Sequence, residues 1–285
     1  MKDYLEKVKK IKKEIEDADA ILIGAGAGLS TSAGILYSGE DFEKEFKEYI
    51  KKYHFEDLYS ASFYDFDSEE EKWAFFAKFA DYLDFSRNNL PLYNKLFKLV
   101  KGKPYFILST NVDDQFVRAS FDEEKVYQIQ GFYSKIQCSS ACHDILYPFE
   151  KRAIEMINQT NEELKIPEEL VPVCPVCGET MELNLRKDGY FVQDDLWYKM
   201  NRKYSDFIEN NKNKKVVLLE LGVGFNTPGI IRFPFEQMAS EYKGWTLVRI
   251  NKDNARVWSH NLDNAILIEE DIDKVINDVI EARYE

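Results

Sequence analysis

The chain has 285 residues and carries 38 Lys plus Arg against 51 Asp plus Glu, a formal charge of −13 at pH 7. That length makes one large domain or two modest ones without disulfide help, and the acidic field sets nucleic acid aside as a partner. A hydrophobic share of 45% is that of a globular chain, no apolar run approaches the roughly 20 residues of a membrane span, and residues 1–20 lack a signal-like apolar stretch, so the expected location is the cytoplasm.

In chain order, Leu5, Val8, Ile11 and Ile15 share one face at helical spacing, which predicts an amphipathic helix over 4–16. The apolar run Ala20-Ile21-Leu22-Ile23 then feeds into Gly24-Ala25-Gly26-Ala27-Gly28-Leu29-Ser30-Thr31-Ser32-Ala33-Gly34, the strand, glycine loop and helix start of a nucleotide-binding unit. The dehydrogenase pattern Gly-x-Gly-x-x-Gly fails, because its third glycine falls on Leu29 counted from Gly24 and on Thr31 counted from Gly26. No Gly-Lys-Ser/Thr follows either, so hydride transfer and P-loop ATP hydrolysis are both disfavoured. Residues 37–91 read as a small helical module, with Phe42, Phe46, Tyr49 and Ile50, and then Trp73, Phe76, Ala80 and Leu83, recurring at helical spacing. Further apolar runs at 105–108, 216–219, 246–250 and 265–268, alternating with helical stretches, predict an α/β fold whose parallel sheet is covered by helices on both faces.

Loops after these strands carry the candidate chemistry. Asn111 and Asp113 fall just past the strand at 105–108, where open parallel sheets bind ligands, although both residue types also stabilise turns. Tyr127-Gln128-Ile129-Gln130-Gly131 ends another strand. Leu221-Gly222-Val223-Gly224 leads toward a helix for which Thr227 is the expected N-cap and Pro228 the first position. Arg232, one turn into that helix, faces either a substrate anion or an ordinary surface salt bridge. A charged amphipathic helix over about 271–283 ends the chain.

The four cysteines form two close pairs, Cys138 with Cys142 and Cys174 with Cys177. Spacings of three and two residues suit tetrahedral zinc better than disulfides in a reducing compartment. Four thiolates close the site, so such a zinc holds structure and performs no chemistry. Unmetallated buried thiols remain the alternative, as does His143 in place of Cys142. The intervening segment 149–165 reads as helical.

Taken together, Gly26-Ala27-Gly28-Leu29-Ser30, Ser109-Thr110-Asn111-Val112-Asp113, Arg118-Ala119, the cysteine pairs, Gly222-Val223-Gly224 and Ile250-Asn251 resemble, in order and over nearly the whole chain, the sirtuins, which are NAD-consuming deacylases and ADP-ribosyltransferases. The resemblance implies a discontinuous Rossmann-like NAD-binding domain over 1–36, 92–130 and 214–285, a helical module over 37–91 and a zinc-binding module over 131–213. It departs from the family at informative places. Gln130-Gly131 stands where sirtuins carry His-Gly, Leu36-Tyr37-Ser38-Gly39 replaces Pro-Asp-Phe-Arg, and Phe-Gly-Glu has no counterpart around Phe191-Val192-Gln193. These departures are similar to the macrodomain-linked class M sirtuins, ADP-ribosyltransferases that modify a lipoyl-carrier protein related to the glycine-cleavage H protein.

The resemblance places Asn111 and Gln130 beside the nicotinamide ribose as catalytic residues, with Asp113 holding the carboxamide. It places Gly26, Ala27, Gly28 and Ser30 around the pyrophosphate, and Gly222, Gly224, Asn251, Asp271 and Ile272 along the adenosine. An amide has no usable pKa near neutrality, so Gln130 cannot replace the histidine as a base. The expected activity is therefore mono-ADP-ribosyl transfer from NAD to a lipoylated carrier, with a macrodomain hydrolase encoded nearby. Weak lysine deacylation, or NAD sensing without catalysis, are the alternatives. His54, His143 and His260 have no motif around them and are assigned no catalytic role.

Overall fold

The structure, a computed structural model, describes residues 2–88, 90–258 and 262–283; His260 lies outside them. In chain order its strands are β1 (Ala20–Ala25), β2 (Tyr105–Ser109), β3 (Val126–Gln128), β4 (Gly131–Cys138), β5 (Tyr147–Pro148), β6 (Met181–Leu185), β7 (Val216–Leu221), β8 (Trp245–Ile250) and β9 (Ala265–Ile268). Six of them form one parallel sheet in the order β3-β2-β1-β7-β8-β9, while β5-β4-β6 make a small antiparallel sheet. Every residue of β1, β2 and β7 is buried, as a parallel strand covered on both faces requires. The order reverses direction between β1 and β7, and that reversal opens the ligand crevice of such sheets at the carboxyl ends of the strands.

One face of the sheet is covered by the helices Lys2–Asp17, Pro91–Val100 and Ile272–Glu281, which bury Val8, Ile11, Ile15, Leu92, Leu96, Val275, Ile276 and Val279. Leu5, expected on the same stripe as Val8, is instead 51% exposed, while its neighbour Tyr4 packs against the core. The other face is covered by Asp195–Asn211 and Arg232–Glu241, through Met200, Phe235 and Ala239. The helix Asp195–Asn211, which follows the last cysteine, thus packs on the parallel sheet.

The helices of 40–85 and the cysteine-bearing segment share one second core. Phe42, Phe46, Trp73, Phe75 and Phe79 from the helices of 40–80 pack with Tyr133, Ile136, Phe149, Met156, Met181 and Leu183 from the cysteine-bearing segment. Trp73 meets Phe149 edge-on at 5.3 Å and Phe79 meets Tyr133 at 5.3 Å. The helix expected over 149–165 is shorter, Glu150–Gln159, and Asn161 turns the chain by accepting from the N–H groups of Glu163 and Lys165.

Among the described residues, no helix is long and apolar enough to cross a membrane.

Candidate active site

Three glycines make the crevice possible by letting two backbones touch. A Cβ on Gly26 would stand 2.7 Å from the Gly222 carbonyl oxygen, one on Gly28 would stand 2.8 Å from Gly222 Cα, and one on Gly222 would stand 2.4 Å from Leu29 N. Gly222 also adopts φ +62°, and the Gly28 N–H donates to its carbonyl at 3.0 Å. The loops after β1 and β7 therefore interlock at the strand-order reversal. Gly224 is open, with nothing within 4 Å of its Cβ position.

Beside this seam lies a buried polar network. The Ser30 hydroxyl donates to Asp113 Oδ2 at 2.7 Å and lies 3.0 Å from the Tyr93 hydroxyl. Asn111 Nδ2 donates to Ser30 Oγ at 3.0 Å and to the Gly26 carbonyl at 3.1 Å. Ser109 Oγ accepts from the Asn111 N–H at 3.0 Å, and Gln128 Nε2 donates to the Asp113 carbonyl at 2.8 Å, so both ends of β2's loop are held. Burial pushes the Asp113 carboxyl up to about 6, against the pull of the Ser30 hydrogen bond. From the helical segment, Asp84 accepts from the Asp114 N–H at 3.1 Å and pairs with Arg118 Nε at 3.2 Å. Tyr93 and Asp84 carry no local motif, and their sequence signal is that of ordinary core or helix positions; Ser109 and Gln128 lie in the motif-bearing segments 109–113 and 127–131 but have no assigned site role there.

Gln130 sits apart from this network, in the tight turn from β3 to β4. Its side chain makes no hydrogen bond among the described residues, and it lines a cleft of about 450 Å³ with Arg186, Lys187, Asp188, Thr227, Gly229 and Ile230. Gly131 fixes the turn with φ +103°, and a Cβ there would lie 1.9 Å from the Asn184 carbonyl oxygen. His54 is an exposed helix cap, and His143 stands 3.0 Å from Cys142 Sγ.

Three adenosine-side candidates, Asn251, Asp271 and Ile272, have partners within the protein. Asn251 Nδ2 donates to the Val223 carbonyl at 3.0 Å, and its Oδ1 accepts from the N–H groups of Asp253 and Asn254. Asp271 caps the last helix through the Lys274 N–H and accepts from the Ser32 hydroxyl, which ties the glycine-loop helix to it. The Ile272 side chain belongs to the core. Thr227 and Pro228 do not start a helix: residues 227–231 form turns, with Ile230 N–H donating to the Thr227 carbonyl, and the helix begins at Arg232. Arg232 faces neither a substrate nor the surface. It is 1% exposed, and its guanidinium is consumed by the carbonyls of Val223, Asn254 and Arg256.

The cysteines do converge: all four sulfurs lie within 4.8 Å of one another, with the pairs Cys138–Cys177 and Cys142–Cys174 at 3.6 Å. Four thiolates on one tetrahedral zinc stand about 3.8 Å apart, so the donor set fits that ion in size and chemistry.

This architecture is that of the Sir2 fold. The chain superposes on a Sir2 complex with p53 peptide and NAD+ at a TM-score of 0.58, with 17% identity, covering 96% of this chain and 97% of that one. It matches Sir2Tm bound to a propionylated peptide at a TM-score of 0.60, again 17% identical, over 96% and 97% of the two chains. No protein-family model matches. In sequence it is 35% identical over 279 residues to a protein ADP-ribosyltransferase of Staphylococcus aureus (strain Mu50 / ATCC 700699), covering 97% of this chain and 88% of that one. The chain belongs to the family of that staphylococcal protein. It is also 30% identical to a probable bifunctional ADP-ribose hydrolase/ADP-ribosyltransferase of Fusarium oxysporum f. sp. cubense, over 81% of this chain but only 40% of that longer protein.

Proposed function

We propose that this protein is an NAD-dependent mono-ADP-ribosyltransferase of sirtuin type whose acceptor is a lipoylated carrier protein. What supports the reading is Gln130: an amide without side-chain partners among the described residues, it lines a cleft with Arg186 and Thr227 and stands at the sequence position where the resemblance implies the imidazole of a deacylating sirtuin. In the reaction the bond between C1′ of the ribose and nicotinamide breaks, its electron pair leaving with nicotinamide. A lone pair of the acceptor forms the new bond to C1′, and any proton it sheds passes to solvent. Such a step asks for orientation and charge stabilisation more than for a protein-borne base.

On this reading Asn111 and Gln130 orient the ribose and the incoming nucleophile as amide donors and acceptors. Asp113 accepts from the carboxamide, and the glycine loops, with no side chains in the way, let the pyrophosphate approach the backbone closely. Zinc, bound by Cys138, Cys142, Cys174 and Cys177, keeps the smaller domain in shape. The names of both relatives support transferase activity, and the Fusarium relative's name joins it to an ADP-ribose hydrolase; a macrodomain hydrolase acting beside this protein is part of the proposal.

The test is transfer of label from adenylate-labelled NAD to a lipoylated carrier, with nicotinamide release followed in parallel. Transfer is expected, and Asn111→Ala should lower it at least about 100-fold, the range seen when a positioned polar group is removed. Label on no lipoylated acceptor defeats the carrier assignment. Acyl-ADP-ribose formed from an acyl-lysine peptide by the unmodified protein defeats the transferase reading, whereas its appearance only in Gln130→His supports it.

A further inference from the structure

Beneath the loops that follow β7 and β8 lies a cluster of four charged side chains that the chemistry above does not use. Glu220 and Arg249 are cross-strand neighbours on β7 and β8 and are both fully buried; Arg232 and Glu236 reach them from the helix Arg232–Glu241. Arg249 Nη2 donates to Glu220 Oε2 at 2.8 Å, its Nε lies 2.7 Å from Oε1 without hydrogen-bond alignment, and its Nη1 donates to Glu236 Oε1 at 2.7 Å. Arg232 Nη1 lies 3.8 Å from Glu220 Oε1. The four charges cancel.

What distinguishes this cluster from a plain buried ion pair is where its remaining donors and acceptors go. Arg232 donates to the carbonyls of Val223 (3.0 Å), Asn254 (3.2 Å) and Arg256 (2.7 Å), Arg249 also donates to Arg256 (2.7 Å), and Glu236 Oε2 accepts from the Trp258 N–H (2.9 Å). Residues 222–226 and 252–258 form neither helix nor strand, so their inward-facing peptide groups have no ladder to join. Apolar side chains beneath them would pack as well and cost less to bury, but would leave the Asn254 and Arg256 carbonyls unpaired and the Val223 carbonyl with Asn251 Nδ2 alone.

We infer that Arg232 and Arg249, neutralised by Glu220 and Glu236, are positioning residues: they hold the β7 and β8 loops in the shape that binds the dinucleotide on that half of the crevice. This rests on the proposed use of NAD, and two independent readouts separate the two ideas. Hydrogen exchange of the unliganded protein reports on the loops, and calorimetry with ADP-ribose reports on binding.

For Arg232→Met, exchange at the hydrogen-bonded amides of these loops, those of Gly222, Asp253, Asn254, Ala255, Arg256 and Trp258, is expected to quicken at least tenfold while the other strands stay protected. The dissociation constant for ADP-ribose and the KM for NAD are expected to rise about tenfold, with kcat for nicotinamide release changed less than twofold. Arg232→Lys, which keeps the charge but fewer donors, should fall between the two. Should Arg232→Met fail to fold, Glu236→Gln, which keeps one acceptor for the Trp258 N–H but loses the charge and the second acceptor that Arg249 Nη1 uses, gives the same comparison. Unchanged loop exchange in a folded variant, or faster exchange with unchanged ADP-ribose affinity, overturns the inference. Wild-type protein with protected loops and no affinity for ADP-ribose overturns the reading of NAD use instead.

Discussion

Asp113 shows what burial does to a single carboxyl. Its folded pKa of about 6 lies above the ordinary carboxylate value, because desolvation outweighs the Ser30 hydrogen bond. The folded protein therefore holds a proton there between about pH 4 and 6 that the unfolded chain has released. This group's stabilising contribution, on the order of 3 kcal/mol, is fully present below about pH 4 and is lost as pH rises through 6. Ligand linkage runs the opposite way, since the carboxylate is the form that accepts from a carboxamide. Nicotinamide release should show an acid limb falling below about pH 6, measured as kcat/KM against pH. Asp113→Asn should abolish that limb and lower the plateau about 100-fold; an unchanged limb would assign it to another group.

At the scale of elements, the glycines matter for contact between segments before they matter for any ligand. Gly28 and Gly222 let the loops after β1 and β7 meet, and neither backbone has room for a methyl group. Gly28→Ala is expected to cost about 1–3 kcal/mol, as overpacking does, seen as a fall of several degrees in Tm with weakened ADP-ribose binding. Gly131→Ala should cost more, because the added Cβ meets the Asn184 carbonyl at 1.9 Å and the φ of +103° disfavours a side chain. Its specific consequence is displacement of Gln130 while the Asn111–Ser30–Asp113 network stays in place, so transfer should fall further than ADP-ribose affinity. Equal losses in both would show that Gln130 contributes to binding alone.

For the whole molecule, the second core couples the cysteine cluster to helices nearly 100 residues away in sequence. Cys138 and Cys174 belong to the same packed cluster as Phe46, Trp73 and Phe75. Metal removal by a chelator, or Cys174→Ser, should accordingly loosen residues 40–85 as well as 131–185. Limited proteolysis would show this as cleavage in both segments, with strands β1, β2 and β7–β9 still resistant. Cleavage confined to 131–185 would mean that the aromatic core stands without the metal. The pairing Asp84–Arg118 and the Gln115 amide bonded to the Arg87 carbonyl carry the same coupling into the loop that holds Asn111.

Much of this was written locally. Runs such as 20–23, 105–108 and 216–219 specify buried parallel strands because nothing in them tolerates water, and cysteine spacing specifies one tetrahedral cluster because two knuckles suit one ion. The glycine loop, Asn111 and Asp113 were legible for a similar reason: their placement after strands is a property of the segment alone. Periodicity, however, fixes which face of a helix is buried and never against what. Only the tertiary structure could decide that Tyr93 joins Ser30 across 63 residues, that Arg232 braces two loops instead of facing solvent or substrate, and that the helical and cysteine-bearing segments share one core. Those outcomes depend on which unsatisfied peptide groups and apolar faces the folded chain brings together, and sequence spacing does not encode that meeting.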